Sequence, residues 1–345
     1  MKKKTLRSYI LTFGLVIAAY LFCTWYMGNG MSRTMKGQLI PICAYVVMAL
    51  SLNLVVGVSG ELSLGHAGFM SVGAFSGVIT AMSLQNVIPS PGLRLFLAML
   101  IGALFATVVG FVVGTPVLRL RGDYLAIVTL AFGEIIRNVI NCIYVSVDGK
   151  GLVFGFNNNA IPGKILVNGA QGAVKVDKIA TFGGGFLLVL FALIVIMNLI
   201  HSHTGRAIMA ARDNRIAAES VGISVMKYKT IAFVTSAALA GMAGALYGLS
   251  ISTFAPSKFD FNQSINILVF IVLGGIGNLV GGMISATVLT ILPEKLRSFS
   301  DYRMLAYAVV LILVMIATNS QAVKNAFSRI TAAVKPAKKD QKGVQ

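Results

Sequence analysis

The chain has 345 residues, of which 57% are hydrophobic and 12% are charged. Soluble domains carry about 25% charged residues, so this composition excludes a water-covered globular surface and indicates a protein embedded in lipid. The formal net charge is +18, but the basic residues gather at the chain ends and in short connections, as the positive-inside rule expects. We therefore predict an all-α polytopic membrane protein that has no nucleic-acid partner.

Apolar runs of about 20 residues, which suffice to cross roughly 30 Å of hydrocarbon, recur along the whole chain. Such runs must be helical, because a helix satisfies its own backbone hydrogen bonds in lipid. The first run is longer than the core of a signal peptide, which predicts a retained helix. The predicted segments are residues 9–27, 38–58, 62–84, 93–118, 124–145, 181–200, 231–251, 265–292 and 304–318.

Flanking charges predict how these segments are oriented. With the basic N-terminus in the cytoplasm, alternation also places Arg119, Arg121 and the stretch 201–229 inside. The basic tail lies inside as well if segment 265–292, which contains a glycine cluster, is a broken pair of passes. The prediction is about ten transmembrane or broken helices with both termini cytoplasmic. The alternative is nine crossings with the tail outside.

This organisation divides the chain into three parts. Residues 1–37 form an N-terminal helix and the first external connection, residues 38–318 the transmembrane domain, and residues 319–345 a basic cytoplasmic tail. Within the domain, residues 146–180 form a polar external loop that is too long for a tight turn. That loop either caps the pore, faces a partner or is only solvated.

The cytoplasmic stretch 201–229 contains the signals of a short surface helix. Asp213 or Asn214 is a suitable N-cap, and Gly222, followed by Ile223, is a suitable residue to end the helix. A helix of about two turns is unstable alone, so it must dock on something. We predict a coupling helix that inserts into a groove of a separate ATPase subunit. A connector helix without a partner is the alternative.

Two apolar segments, residues 52–68 and 272–282, are interrupted by glycines, one in each half of the chain. Matching interrupted segments point to a transport site, because broken helices expose backbone groups that can bind the ammonium and carboxylate of a zwitterion. Alternatively, the glycines only allow close helix packing, and both interpretations can hold. The predicted translocation path consists of Asn53, Gly57, Gly60, Ser63, His66, Gly274, Gly275, Gly277 and Asn278.

Other polar and small residues in the apolar segments favour structural roles. Small residues recur at every fourth position from Ser236 to Gly248, a spacing that lets helices approach closely in lipid. Glu134 and Arg137 are three residues apart and are predicted to pair, because an unpaired charge in the membrane is costly. His66 is more typical of a packed, hydrogen-bonded side chain than of a ligand.

No phosphate-binding Gly-x-x-x-x-Gly-Lys-Ser/Thr motif occurs in the sequence, so ATP hydrolysis would belong to a separate polypeptide. The three histidines, His66, His201 and His203, are accompanied by neither a catalytic constellation nor a metal-spaced acidic cluster. We predict a transport subunit that is not an enzyme and binds neither a cofactor nor a metal.

Several of these motifs resemble the LivM-type permeases of high-affinity branched-chain amino acid ABC importers. The resembling segments are residues 51–69, 119–134, 204–214, 217–222 and 272–278, and the resemblance extends from about residue 40 to residue 318. It implies an ABC importer permease fold in the plasma (inner) membrane. Besides the membrane lipid that the composition indicates, the resemblance implies three kinds of protein partner: a second, LivH-like permease subunit, two ATP-binding subunits that use ATP, and an extracytoplasmic substrate-binding protein.

The resemblance further implies that the cytoplasmic loop is the contact with the ATPase. With the cap residue included, the predicted coupling residues are Arg206, Arg212, Asp213, Asn214, Glu219 and Gly222. The expected function is import of leucine, isoleucine and valine. Alternatives are an ABC importer for urea or short amides, and an ion-coupled secondary transporter, against which the lack of an acidic relay argues. A membrane-embedded enzyme is a further alternative, which the absence of a catalytic constellation disfavours.

Overall fold

The computed structural model describes residues 2–28, 32–120, 122–148, 151–156 and 164–296, together with positions 305, 308, 309 and 312. The chain separates into two units, Met1–Thr290 and Ile291–Gln345. In the second unit, the described residues are α-helical except residue 296, which is in a 3-10 conformation. The predicted tail, and most of the predicted segment 304–318, lie outside the described residues.

Eleven α-helices occur in the described ranges. They are α1 Lys2–Gly28, α2 Arg33–Asn53, α3 His66–Ser83, α4 Pro91–Val117, α5 Asp123–Asn141, α6 Phe182–His201, α7 His203–Asp213, α8 Arg215–Ser220, α9 Val225–Gly248, α10 Phe261–Gly274 and α11 Leu279–Lys295. Alpha-helices therefore account for most of the described chain, as the composition predicts.

Four helical stretches in the described ranges are long and apolar enough to cross a membrane: Thr34–Val58, Pro91–Val117, Phe182–His201 and Val225–Gly248. Thr12–Gly28 and Phe261–Gly274 are shorter apolar helices. These lengths and compositions agree with a polytopic membrane protein. The number of crossings and the cytoplasmic location of the termini stay predictions.

Both predicted glycine breaks are present. Helix α2 ends in a single π-helical turn, Leu54–Val58, and α3 begins only at His66 after a non-helical stretch. In the second half, α10 and α11 are separated by Gly275 and Gly277, whose φ angles of 90° and 83° are accessible mainly to glycine. The predicted segment 265–292 is therefore two helices.

The connection between α5 and α6 contains a small sheet that the all-α prediction lacks. Strands β1 Tyr144–Asp148, β2 Gly151–Gly155 and β3 Lys164–Asn168 are antiparallel in the order β2-β1-β3. The prediction of a loop over residues 146–180 was wrong for these strands. The strands are rich in β-branched and aromatic residues, which suit a pleated surface, and the polar, glycine-rich sequence around them hid that signal.

Close approach of small residues holds the centre of the bundle together. An added Cβ at Gly73 would collide with the backbone of Gly241, and one at Gly244 would collide with the carbonyl of Met70. Helices α3 and α9 are thus in backbone contact, which a larger side chain would prevent. The predicted stripe from Ser236 to Gly248 therefore faces a neighbouring helix.

Candidate functional site

Helix α8 is the short surface helix that the sequence of residues 201–229 predicts. Asn214 is its N-cap, and the Asn214 Oδ1 accepts a hydrogen bond of 3.0 Å from the Ala217 N–H. At the other end, the Ile223 N–H donates to the Ala218 carbonyl (3.0 Å) and the Gly222 N–H donates to the Glu219 carbonyl (3.1 Å). With φ at 83° for Gly222, this is a Schellman motif. The predicted cap and terminating glycine are confirmed.

One face of α8 is anchored and the other is open. Ala218 is buried in a small cluster with Ala211, Val225 and Ile223. On the open side, Ile216 is 81% exposed and Val221 is 74% exposed. An apolar pair presented beside charged residues, on a helix too short to stand alone, is suited to a protein partner.

Arg212, the penultimate residue of α7, connects this loop to the first glycine break. Its Nη1 donates to the Gly57 carbonyl at 2.8 Å, while Nε and Nη2 donate to Oδ1 of Asp213 at 3.0 and 2.9 Å. Its methylene groups pack against Gly60, where an added Cβ would lie 2.5 Å from Cγ of Arg212. The guanidinium group thus fixes the π-helical turn to the loop.

The two glycine breaks contact each other. Oδ1 of Asn53, in the first half of the chain, accepts a hydrogen bond of 2.9 Å from the Gly277 N–H in the second half. A Cβ on Gly57 would lie 2.5 Å from the Gly277 nitrogen, so the backbones touch. We call Asn53, Gly57 and Gly277 the glycine junction. These three residues are the members of the predicted translocation path that lie closest together in the structure.

The remaining predicted path residues flank the junction. Asn278 caps α11, because its Oδ1 accepts from the Gly281 N–H at 3.1 Å. An added Cβ on Gly274 would collide with the backbone at Gly281. His66 is buried and its Nε2 lies 2.8 Å from the Ser51 Oγ. His66 is therefore the packed, hydrogen-bonded side chain that the sequence suggests.

Several buried polar atoms near the junction have no hydrogen-bond partner among the described residues. They are Asn53 Nδ2, Ser59 Oγ, Ser63 Oγ and His66 Nδ1. Buried polar groups are normally satisfied by protein or water, so these atoms are available to water or to a polar substrate. Ser59 was missed by sequence reasoning, although it lies between Gly57 and Gly60.

An ion pair that the sequence analysis did not predict anchors the segment after the first break. Nζ of Lys229, in the first turn of α9, pairs with Oε1 of Glu61, and the two side chains are 12% and 13% exposed. A pair this shielded from solvent is expensive to break, because removing one member leaves an uncompensated charge. The pair therefore fixes the Gly60–Gly65 segment to the base of α9.

We expect Lys229→Met to lower the free energy of unfolding by about 3 kcal/mol, because Glu61 loses its counter-ion. Lys227→Met is the matched control, since Lys227 lies in the same turn but is exposed. Thermal unfolding in detergent measures both, and the double variant Glu61→Gln/Lys229→Met should recover most of the loss. Equal effects of the two lysine variants would contradict a stabilising pair.

Other predicted coupling residues lie away from the junction. Nη2 of Arg206 donates to Nδ1 of His203 at 2.8 Å on the exposed side of α7. Glu219 pairs with Arg215 at 2.9 Å across one turn of α8. The predicted Glu134–Arg137 pair is also present, at 2.7 Å. Within the described part of the chain, no group of three or more His, Cys, Asp or Glu residues is arranged to hold a metal ion.

The chain matches known transport proteins over most of its length. Residues 35–318 match the family described as the permease component of the branched-chain amino acid transport system. The high-affinity branched-chain amino acid permease LivM of Escherichia coli is 37% identical over 286 residues, which are 79% of this chain and 66% of that protein. LivM of Salmonella typhimurium is 36% identical with the same coverage. This chain thus spans just under two thirds of these relatives.

More distant relatives include import permeases for other cargoes by name. The ribose import permease RbsC of Haemophilus influenzae is 26% identical over 292 residues, which are 79% of this chain and 81% of that protein. A probable LivM of Methanocaldococcus jannaschii is 24% identical over 271 residues, which are 68% of this chain and 73% of that protein. No solved structure matches the chain significantly.

Proposed function

The chain belongs to the family of branched-chain amino acid transport system permease components, and from that premise we propose that it is the permease subunit of an ATP-driven importer for leucine, isoleucine and valine. The names of the LivM relatives support this cargo. In this proposal the chain crosses the plasma membrane about ten times, with both termini in the cytoplasm. It forms half of the translocation path, beside a second permease subunit.

Two further kinds of partner complete the proposed machine. An extracytoplasmic binding protein delivers the substrate, and two cytoplasmic ATPase subunits hydrolyse ATP. We propose that the apolar pair Ile216 and Val221 on α8 docks in a groove of one ATPase subunit. The coupling residues Asn214 and Glu219, the latter paired with Arg215, would then hold α8 in the shape that docks.

The observation that carries the proposal is the hydrogen bond from Arg212 Nη1 to the Gly57 carbonyl. It joins the loop that would bind the ATPase to the glycine junction, and Asn53 continues the link to Gly277. A displacement of α7 and α8 by the ATPase would therefore move both glycine breaks together. The junction is then a gate near the cytoplasmic side, and alternating access follows from opening and closing it.

Unpaired buried atoms around the junction support passage of a polar substrate. Asn53 Nδ2 is a donor, and the hydroxyl groups of Ser59 and Ser63 can donate or accept. Groups of this kind can bind the carboxylate and ammonium of an amino acid transiently. We propose that they contact the substrate as it leaves the junction.

Docking of the ATPase is tested by co-purification from membranes. We expect Ile216→Asp to reduce recovery of the ATPase by about tenfold or more, because a charge would replace an apolar anchor at the centre of the contact. Glu219→Lys should act in the same direction, since it places a positive charge beside Arg215. The matched control is Phe156→Asp, because Phe156 is also 81% exposed but lies in the α5–α6 connection.

The possible outcomes separate the proposal from its main rival. Loss of the ATPase with Ile216→Asp, and its retention with Phe156→Asp, would establish the importer and the docking helix together. If no ATPase co-purifies with the intact wild-type protein, the importer proposal fails. Uptake that survives ATP depletion but stops without an ion gradient would then identify a secondary transporter.

A further inference from the structure

Arg94, in the first turn of α4, is a buried positive charge that has no partner among the residues that the structure describes. The residue is 8% exposed, and its Nε and Nη1 have no hydrogen-bond partner among the described residues. None of the ion pairs between described residues includes it. A guanidinium group remains charged at any physiological pH and is costly to bury unpaired. We therefore expect an anion from outside the described chain to bind at Arg94.

The start of α4 adds further donors at the same place. Side chains on a helix point toward its N-terminus, so we expect the guanidinium of Arg94 to lie toward Ser90 and Pro91. Ser90 is the N-cap but its side chain makes no capping hydrogen bond, and the space beside Gly92 is open. Free N–H groups and the positive end of the helix dipole favour an anion there.

A second unexplained feature lies along the same helix face. A cavity of about 640 Å³, within the usual range for ligand sites, opens between α3, α4, α5 and the small sheet. Its walls include Leu84, Ile101, Phe105, Ile136, Val139 and Phe154. Ile101 lies seven residues after Arg94, which on a helix is about 10 Å along the axis and about 20° around it.

The cavity suits a hydrocarbon chain and not a zwitterion. The hydroxyl groups on its wall belong to Ser76, Thr80 and Ser83, and each donates to a carbonyl of its own helix, at 2.6, 2.8 and 3.0 Å respectively. No free donor is therefore left on these three side chains to bind a carboxylate. An amino-acid substrate would lose its hydration there without replacement.

We propose that Arg94 and this cavity form one phospholipid site. The phosphate of the lipid binds the Arg94 guanidinium and the first N–H groups of α4, and one acyl chain occupies the cavity two helical turns away. The depth agrees with this arrangement, because α4 is long enough to span the membrane and its first turn lies where headgroups lie. Apolar residues on α4, such as Leu93, Phe96 and Leu100, are exposed, as expected of a helix surface that faces lipid.

The test places a fluorescent reporter in the cavity of the purified chain, together with the subunits that co-purify. Trp25 is the one tryptophan of the chain, so Trp25→Phe removes the chain's own signal and Phe105→Trp places the reporter in the cavity. The complex with Trp25→Phe alone gives the background that is subtracted. The matched control is Phe111→Trp, because Phe111 is 57% exposed and Phe105 is 51% exposed on the same helix, but Phe111 does not line the cavity. The probe is a phospholipid with brominated acyl chains, added in detergent.

With about one brominated lipid per chain, we expect quenching at position 105 and little at position 111. Arg94→Gln should weaken the lipid's apparent affinity at position 105 by about tenfold or more, the factor typical of a lost charge-assisted contact. Arg94→Lys should retain most of the affinity, because the charge remains.

Equal quenching at positions 105 and 111 would overturn the proposal. This measurement is made with Arg94 intact, so it does not depend on whether an Arg94 variant folds. Unchanged affinity in a folded Arg94→Gln protein would also overturn the proposal. Displacement of the lipid by millimolar inorganic phosphate would overturn it as well, since the ligand would then be a free anion. Transport plays no part in these measurements, so the outcome is independent of the proposed cargo.

Discussion

Arg212→Ala should lower substrate uptake by about 10- to 100-fold, while the ATPase subunits stay bound to the complex. The physical reason is the hydrogen bond of 2.8 Å from Nη1 to the Gly57 carbonyl, because bonds to charged groups contribute roughly 1.5–3 kcal/mol and each 1.4 kcal/mol is a tenfold change. Without this bond, the loop would still bind the ATPase but would no longer move the glycine junction. Uptake and ATP hydrolysis in proteoliposomes, with co-purification, measure the two effects separately.

Arg206→Ala is the matched control for this prediction. Both arginines lie on α7, but Arg206 is exposed and bonds to His203, away from the junction. Because Arg206 is itself a predicted ATPase contact, we expect Arg206→Ala to act on recovery of the ATPase only and to leave the ratio of uptake to ATP hydrolysis unchanged. If Arg212→Ala releases the ATPase as well, the residue acts mainly as an ATPase contact, which is the role that the resemblance to LivM-type permeases implies.

Local sequence signals were sufficient to predict the short-range geometry of the coupling loop. Asn214 as a cap and Gly222 as a terminator need only a few neighbouring residues, and both occupy those roles. The break between α10 and α11 could be predicted equally well from the sequence, because Gly275 and Gly277 adopt φ angles that other residues avoid. In each case one residue's conformational preference determines the backbone.

Long-range contacts of the site could not be derived in this way. Arg212 and Gly57 are 155 residues apart, and Asn53 and Gly277 are 224 residues apart. No periodicity links such positions in a single sequence, so the path and coupling residues were predicted as two separate sets. The structure joins them through Arg212. Lys229 and Glu61 were missed for the same reason.

The small sheet illustrates a different reason why a structure cannot be predicted from one sequence. Its strands are five residues each, and the sequence between them is polar and rich in glycine, so the whole connection reads as a loop. Pairing of β1 with β3 joins Val145 to Val167 across the chain, and it is this pairing that stabilises strands too short to persist alone. Composition alone therefore predicted the helices better than the sheet.

Gly57→Ala should reduce uptake by about tenfold or more and lower the free energy of unfolding by about 1–3 kcal/mol, the usual effect of overpacking. The added methyl group would collide with Oδ1 of Asn53 and would lie 2.5 Å from the nitrogen and 2.7 Å from Cα of Gly277. These contacts are too short to persist, so the Asn53–Gly277 hydrogen bond must break or the two breaks must separate. Thermal unfolding and proteoliposome uptake measure the two effects.

Gly37→Ala provides the control for the same substitution on the same helix. Nothing lies within 4 Å of a Cβ added at Gly37, and alanine favours a helix over glycine by about 1 kcal/mol, so uptake and stability should be maintained or improved. Normal uptake by Gly57→Ala would show that the junction tolerates separation and is not a tight gate. Loss of uptake with ATP hydrolysis preserved is the result that we expect. It would mean that the ATPase moves the two glycine breaks only while the Asn53–Gly277 hydrogen bond holds them in contact.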